Sequence, residues 1–84
     1  MRYTVTSSDA VEQQLADCWL RAPDQRAAQE ASDTIDRLLK SSAERVGEDL
    51  GDRRRLVVGS LRVTFRIKPL DRQVELLGFE LLGP

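Results

Sequence analysis

Leu61-Arg62-Val63-Thr64-Phe65-Arg66-Ile67-Lys68 alternates without a break between apolar and polar side chains. Successive residues of an extended chain point to opposite faces. Leu61, Val63, Phe65 and Ile67 therefore share one side, and Arg62, Thr64, Arg66 and Lys68 the other. The first side is that of a strand laid on a core. The second carries three cations and is a candidate anion-facing surface.

Upstream of this stretch, Arg53 to Val58 reads as a second strand. Gly59-Ser60 joins the two as a two-residue hairpin turn with glycine at its first central position. Downstream, Pro69-Leu70-Asp71 is a turn in which proline supplies the fixed φ. A last strand is predicted from Arg72 to about Leu81. Strict alternation puts Val74 and Leu76 on one of its faces and Glu75, Leu77, Phe79 and Leu81 on the other. Leu77, Phe79, Leu81 and Leu82 then present more apolar surface than a small sheet leaves wet. Either the strand is central and the helices cover them, or they bind a protein partner or, by self-association, a second copy in a homodimer.

The first half of the chain has a different period. Arg2 to Thr6 is a short strand candidate, rich in β-branched residues. Ser7-Ser8-Asp9 supplies helix N-cap chemistry, and Asp9 followed by Glu12 resembles a capping box. A helix is predicted from about Asp9 to Arg21, burying Val11, Leu15, Cys18, Trp19 and Ala22 on one stripe. Pro23 stops it and is suited to open the next helix at the first helical position. That second helix is predicted from about Asp24 to Lys40 or Ser41, with Ala27, Ala28, Ala31, Ile35, Leu38 and Leu39 inward. Its alanines allow close approach, so the two helices form a hairpin. From Ser42 to Asp52 the periodicity fails, and Gly47 and Gly51 mark a loop. The order is β-α-α-β-β-β, an α+β fold: an antiparallel sheet packed by an α-helical hairpin, one domain over residues 1–84.

At 84 residues the chain buries only about 60% of its unfolded surface, so a bound partner would add substantially to its stability. The composition, 40% hydrophobic and 32% charged, is that of a globular protein and excludes disorder. The net charge of −1 hides an asymmetry. Between Arg53 and Arg72 seven basic residues stand against one acid, a balance of +6, while the other 64 residues carry −7. Such a distribution points to a local anion site on an acidic body. The lone Cys18 cannot form an internal disulfide, which fits a cytoplasmic location, as does the lack of an apolar block at the start of the chain. No membrane span is expected. With one cysteine and no histidine, neither a structural zinc site nor another cofactor is expected. Cys18 has no histidine to activate it and reads as core, as does Trp19. Tyr3 reads as a strand residue with its hydroxyl at the rim.

Taken together, the opening strand, Ser8-Asp9-Ala10-Val11-Glu12-Gln13-Gln14-Leu15, the helical hairpin ending Ile35-Asp36-Arg37-Leu38-Leu39, and the segment from Arg55 to Ile67 resemble the RelE/ParE superfamily of toxins from bacterial type II toxin–antitoxin systems. The resemblance spans nearly the whole chain and is densest in the arginine-bearing hairpin. It implies a toxin held inactive by a cognate antitoxin, a role in plasmid stabilization and growth inhibition, and one of two targets. RelE-like members cleave messenger RNA in the ribosomal A site, whereas ParE-like members inhibit DNA gyrase without being nucleases.

By this resemblance Arg62 occupies the place of a strand arginine that contacts the scissile phosphate, and is the candidate catalytic residue. A guanidinium there would match phosphate oxygens with two parallel donors and stabilise charge in the transition state. Arg55, Arg62, Arg66 and Lys68 form the candidate target-binding or anion-binding set, and Leu77, Phe79, Leu81 and Leu82 the candidate antitoxin contacts. The alternative for Arg62 and Arg66 is cross-strand ion pairing with Glu75 or Glu80. For the Arg53-Arg54-Arg55 run it is pairing with Asp49 or Asp52, Arg55 excepted because the resemblance places an arginine there.

The chain departs from RelE-like nucleases at its end, where no arginine, lysine, histidine or tyrosine follows Arg72. Cleavage of this type activates a 2′-hydroxyl and needs a proton acceptor and donor near the reacting oxygens. Three readings stay open: a ribosome-dependent endoribonuclease, a non-enzymatic inhibitor of gyrase or another protein, and a non-toxic member that only binds its antitoxin. The missing acid and base groups favour the last two.

Overall fold

The computed structural model describes residues 2–82. Strand β1 (Thr4–Thr6) leads into helix α1 (Asp9–Arg21) and helix α2 (Gln25–Ser42). Strands β2 (Glu48–Asp49), β3 (Arg54–Val58), β4 (Leu61–Lys68) and β5 (Gln73–Leu81) follow, with a single 3₁₀ turn at Pro69–Asp71 before β5. The five strands form one sheet in the order β1-β5-β4-β3-β2. The helical hairpin thus carries the chain from one edge of the sheet to the other, and both helices pack on the same face.

Local chemistry sets the helix boundaries. Ser8 Oγ accepts the Val11 N–H at 3.3 Å and caps α1, so the cap is Ser8 rather than an Asp9–Glu12 box. Asp24 Oδ1 accepts the Ala27 N–H at 3.1 Å and caps α2. Pro23 therefore precedes the cap instead of opening the helix. The turn between β3 and β4 has Gly59 at φ +59°, in the left-handed region that glycine enters freely.

Leu61, Val63 and Phe65 of β4 have no accessible surface, and with Leu56, Val74 and Phe79 they meet Val11, Cys18, Ala31, Ile35, Leu39 and Ala43 in one core. No polar or charged residue is buried there among those described. Trp19, expected inside, is 38% exposed, and its neighbour Leu20 is 77% exposed. The buried line of α1 runs through Val11 and Cys18, and Trp19 lies about a quarter turn round from Cys18.

Two features of the sheet are not local. β1 lies parallel to β5, Val5 opposite Val74, while every other pairing is antiparallel. Glu48 and Asp49, expected in a loop, form the short edge strand β2 against Arg55 and Arg54.

The third feature corrects the reading of the last strand. The β4–β5 register passes from Thr64 opposite Gly78 to Phe65 opposite Leu76, so Leu77 has no partner and forms a bulge. Beyond it, Phe79 faces Val63 and Leu81 faces Leu61. The extra residue resets the alternation, and Val74, Leu76, Phe79 and Leu81 all share the helix-covered side. At the bulge the Phe79 N–H donates to Gln14 Oε1 of α1 at 3.0 Å. Gly78 leaves room for that amide, since a Cβ there would come within 3.2 Å of it.

Candidate functional site

The face of the sheet away from the helices carries the cations singled out from the sequence. Arg62 and Arg66 alternate with the buried residues of β4, and Arg55 on β3 lies opposite Thr64. Lys68 continues the line. The structure brings all four onto one face, as alternation requires. Each also meets a carboxylate.

Arg62 Nη2 donates to Glu80 Oε2 at 2.6 Å across β4 and β5. Two rows further along, past Thr64 and Gly78, Arg66 Nη2 donates to Glu75 Oε1, and Lys68 Nζ lies 3.8 Å from the same oxygen. Arg55 Nη2 donates to Glu48 Oε1 at 2.8 Å across β2 and β3. These are directly opposed cross-strand pairs: Arg62 with Glu80, Arg66 with Glu75, and Arg55 with Glu48. The Arg66 hydrogen bond is the main reason that Glu75 titrates below the ordinary carboxylate range, the Lys68 and Arg66 charges helping and desolvation opposing.

The face is therefore a ladder of ion pairs and not a cationic sheet. Four cations stand against three carboxylates, leaving one net positive charge. Pairing with Glu75 and Glu80 was legible from the sequence; Glu48 was not, because its strand exists only through its partner.

The arginine run separates into three roles. Arg53 pairs with the adjacent Asp52 at 3.2 Å. Arg54 stands opposite Phe65, on the helix side, with its side chain only 19% exposed. It donates Nε to the Val46 carbonyl at 3.1 Å and lies 3.6 Å from Asp49, so it fastens the loop before β2. Arg55 alone belongs to the open face.

The candidate antitoxin residues do not form one surface. Phe79 is 8% exposed and belongs to the core, so it is unavailable to a partner; the bulge at Leu77 is the physical reason. Leu77 is half-buried in a hollow with Thr6, Ser7, Val11 and Leu76. Leu81 and Leu82 line a different hollow, with Arg21, Pro23, Ala27 and Gly59. Beside it the Leu82 N–H donates to the Ser60 carbonyl at 2.7 Å.

The acid–base group at Arg62 itself is the Glu80 carboxylate, which is engaged in the ion pair. The Glu44 carboxylate raises the Tyr3 phenol, which in turn helps to lower that carboxyl, and the Tyr3 backbone N–H is fixed to the Lys40 carbonyl at the start of β1. Cys18 is buried on α1, and burial pushes its thiol up, away from the nucleophilic thiolate. Among the described residues no three histidine, cysteine, aspartate or glutamate side chains group as metal ligands, and no helix is long and apolar enough to cross a membrane.

A scan against protein-family models finds no match, and a search of curated proteins finds no significant one. Solved structures do match. The toxin–antitoxin complex RelBE2 from Mycobacterium tuberculosis contains a chain that superimposes with a TM-score of 0.79 at 19% identity, covering 96% of this chain and 99% of that one. A chain of the chromosomal ParDE system from P. aeruginosa gives 0.72 at 14% identity, covering 98% of each. One from the archaeal RelE–RelB complex of Pyrococcus horikoshii gives 0.65 at 20% identity, with 99% and 98% covered. The chain thus has the fold of the RelE and ParE toxins, over its whole described length.

Proposed function

We propose that this protein is the toxin subunit of a type II toxin–antitoxin module, and that it acts on its target by binding rather than by cutting RNA. The observation that carries the first part is the end-to-end match to chains solved in toxin–antitoxin systems. The second part rests on the open face. A nuclease of this fold needs an arginine free to take a phosphate, with an acid and a base beside it. Here Arg62 is tied to Glu80, and no histidine or tyrosine stands on β4 or β5. A face of alternating guanidinium and carboxylate groups suits a protein surface with complementary charges.

On this reading the antitoxin covers Leu77, Leu81 and Leu82, while Arg55, Arg62, Arg66 and Lys68 contact the target, with gyrase the first to examine. The protein works in the cytoplasm. Inducing it alone should arrest growth, and co-expressing the product of the adjacent open reading frame should relieve the arrest and yield a stable complex. Normal growth on induction, with no complex formed, would refute the proposal.

A further inference from the structure

The structure assigns Glu75 and Glu80 a role of their own: we infer that they are specificity residues, which make the open sheet face reject phosphodiesters that its cations would otherwise hold. This rests on the reading of that face as a contact surface, and not on the identity of the target.

The geometry is specific at Arg62. A guanidinium engages a two-oxygen anion through a pair of adjacent donors, commonly Nε and one Nη. Glu80 takes only Nη2. Arg62 Nε is enclosed and has no hydrogen-bond partner among the described residues. With Nε enclosed, an incoming anion depends on the terminal nitrogens, and Glu80 already holds Nη2 from the neighbouring strand. Two rows along, Glu75 holds Arg66 in the same way and serves two cations, Arg66 and Lys68, with one oxygen. Both carboxylates are held in place by strand register, not by flexible loops.

The charge balance makes the consequence large. With the carboxylates of Glu48, Glu75 and Glu80 present, the four cations leave a net charge of +1 on the face; without the last two it rises to +3. Phosphate binding depends on such unneutralised cations, and each contact made adds to the salt dependence of affinity. A phosphodiester approaching the native face must displace a bound carboxylate and is repelled by it. A protein partner offering its own acids and bases can exchange pairs row by row instead.

The test uses the full chain and a fluorescent single-stranded RNA oligonucleotide in an anisotropy titration at low salt. The E75Q/E80Q variant keeps side-chain shape while removing two charges, and circular dichroism confirms that it is folded. It should bind the RNA about tenfold tighter than the parent chain, with a steeper salt dependence. The gain should vanish when Arg62→Ala and Arg66→Ala are added. Equal affinity of parent and E75Q/E80Q would overturn the inference, and so would a gain that survives loss of both arginines. Because the readout is affinity in solution, failure here is distinguishable from failure of the toxin reading, which is decided by growth.

Discussion

The Arg62 guanidinium and the Glu80 carboxylate face each other across β4 and β5 at 2.6 Å, on the side of the sheet that no helix covers. Their strands are locked in register by the core beneath, so the pair needs little extra ordering. Glu80 is 59% exposed and Arg62 27% exposed, which keeps the interaction weak. A double-mutant cycle with Arg62→Ala and Glu80→Ala, read by urea unfolding, should return a coupling of about 0.2–1 kcal/mol. The pair matters for what the face can bind more than for whether the chain folds.

The bulge makes a separate prediction. Gln14 Oε1 is the acceptor for the Phe79 N–H, the group that the bulge leaves in need of one. Gln14→Leu should destabilise the fold by about 1–3 kcal/mol, the cost of an unsatisfied, partly buried donor. A denaturant melt measures it. A variant as stable as the parent would mean that water serves as well.

Gly47 sits at φ +78°, and a Cβ there would be driven into the Arg55 carbonyl. Both the backbone conformation and the space exclude a side chain. Gly47→Ala should therefore cost more than the roughly 1 kcal/mol of a positive φ alone, seen as a lower midpoint in urea with an unchanged slope. Gly51→Ala, with open space around it, should show only the conformational part.

The pH dependence follows from two shifts of opposite sign. Glu75 is held below its ordinary value of 4.5 by Arg66, so its contribution to stability is present above that value and is lost as pH falls through the lower, folded-state value. Glu75→Gln should flatten the acid limb of a plot of Tm against pH. Tyr3 is raised above 10.0 by the Glu44 carboxylate, so its contribution is present below 10.0 and is lost as pH rises beyond it. Because Tyr3 is the single tyrosine, its phenolate absorbance titrates alone; the midpoint should lie above 10.0 and fall in Glu44→Gln.

What was legible in the sequence was what local chemistry decides. The alternation from Leu61 to Lys68, the Gly59-Ser60 turn and the helix over Asp9–Arg21 each depend on residues within a few positions of one another, and each stands as read. β2 was hidden because Glu48 and Asp49 have no apolar alternation and become a strand only against Arg54 and Arg55. The parallel placement of β1 joins residues some 69 positions apart. One unpaired residue, Leu77, moved Phe79 from a supposed partner surface into the core, because the period of two has no tolerance for an insertion. Trp19 went astray the other way, since one helical position separates the core line from the flank. Alternation alone puts Arg62, Arg66 and Lys68 on one face; their neutralisation depends on which acids the register sets opposite them.

The use proposed for this fold is binding and not RNA cleavage. Its most direct test is to induce the protein in a bacterial host and map the ends of ribosome-bound messenger RNA. Growth arrest is expected with messages intact on the ribosome, and with a pattern of ends unchanged by Arg62→Ala. New cuts within codons that appear on induction and disappear in Arg62→Ala would contradict it.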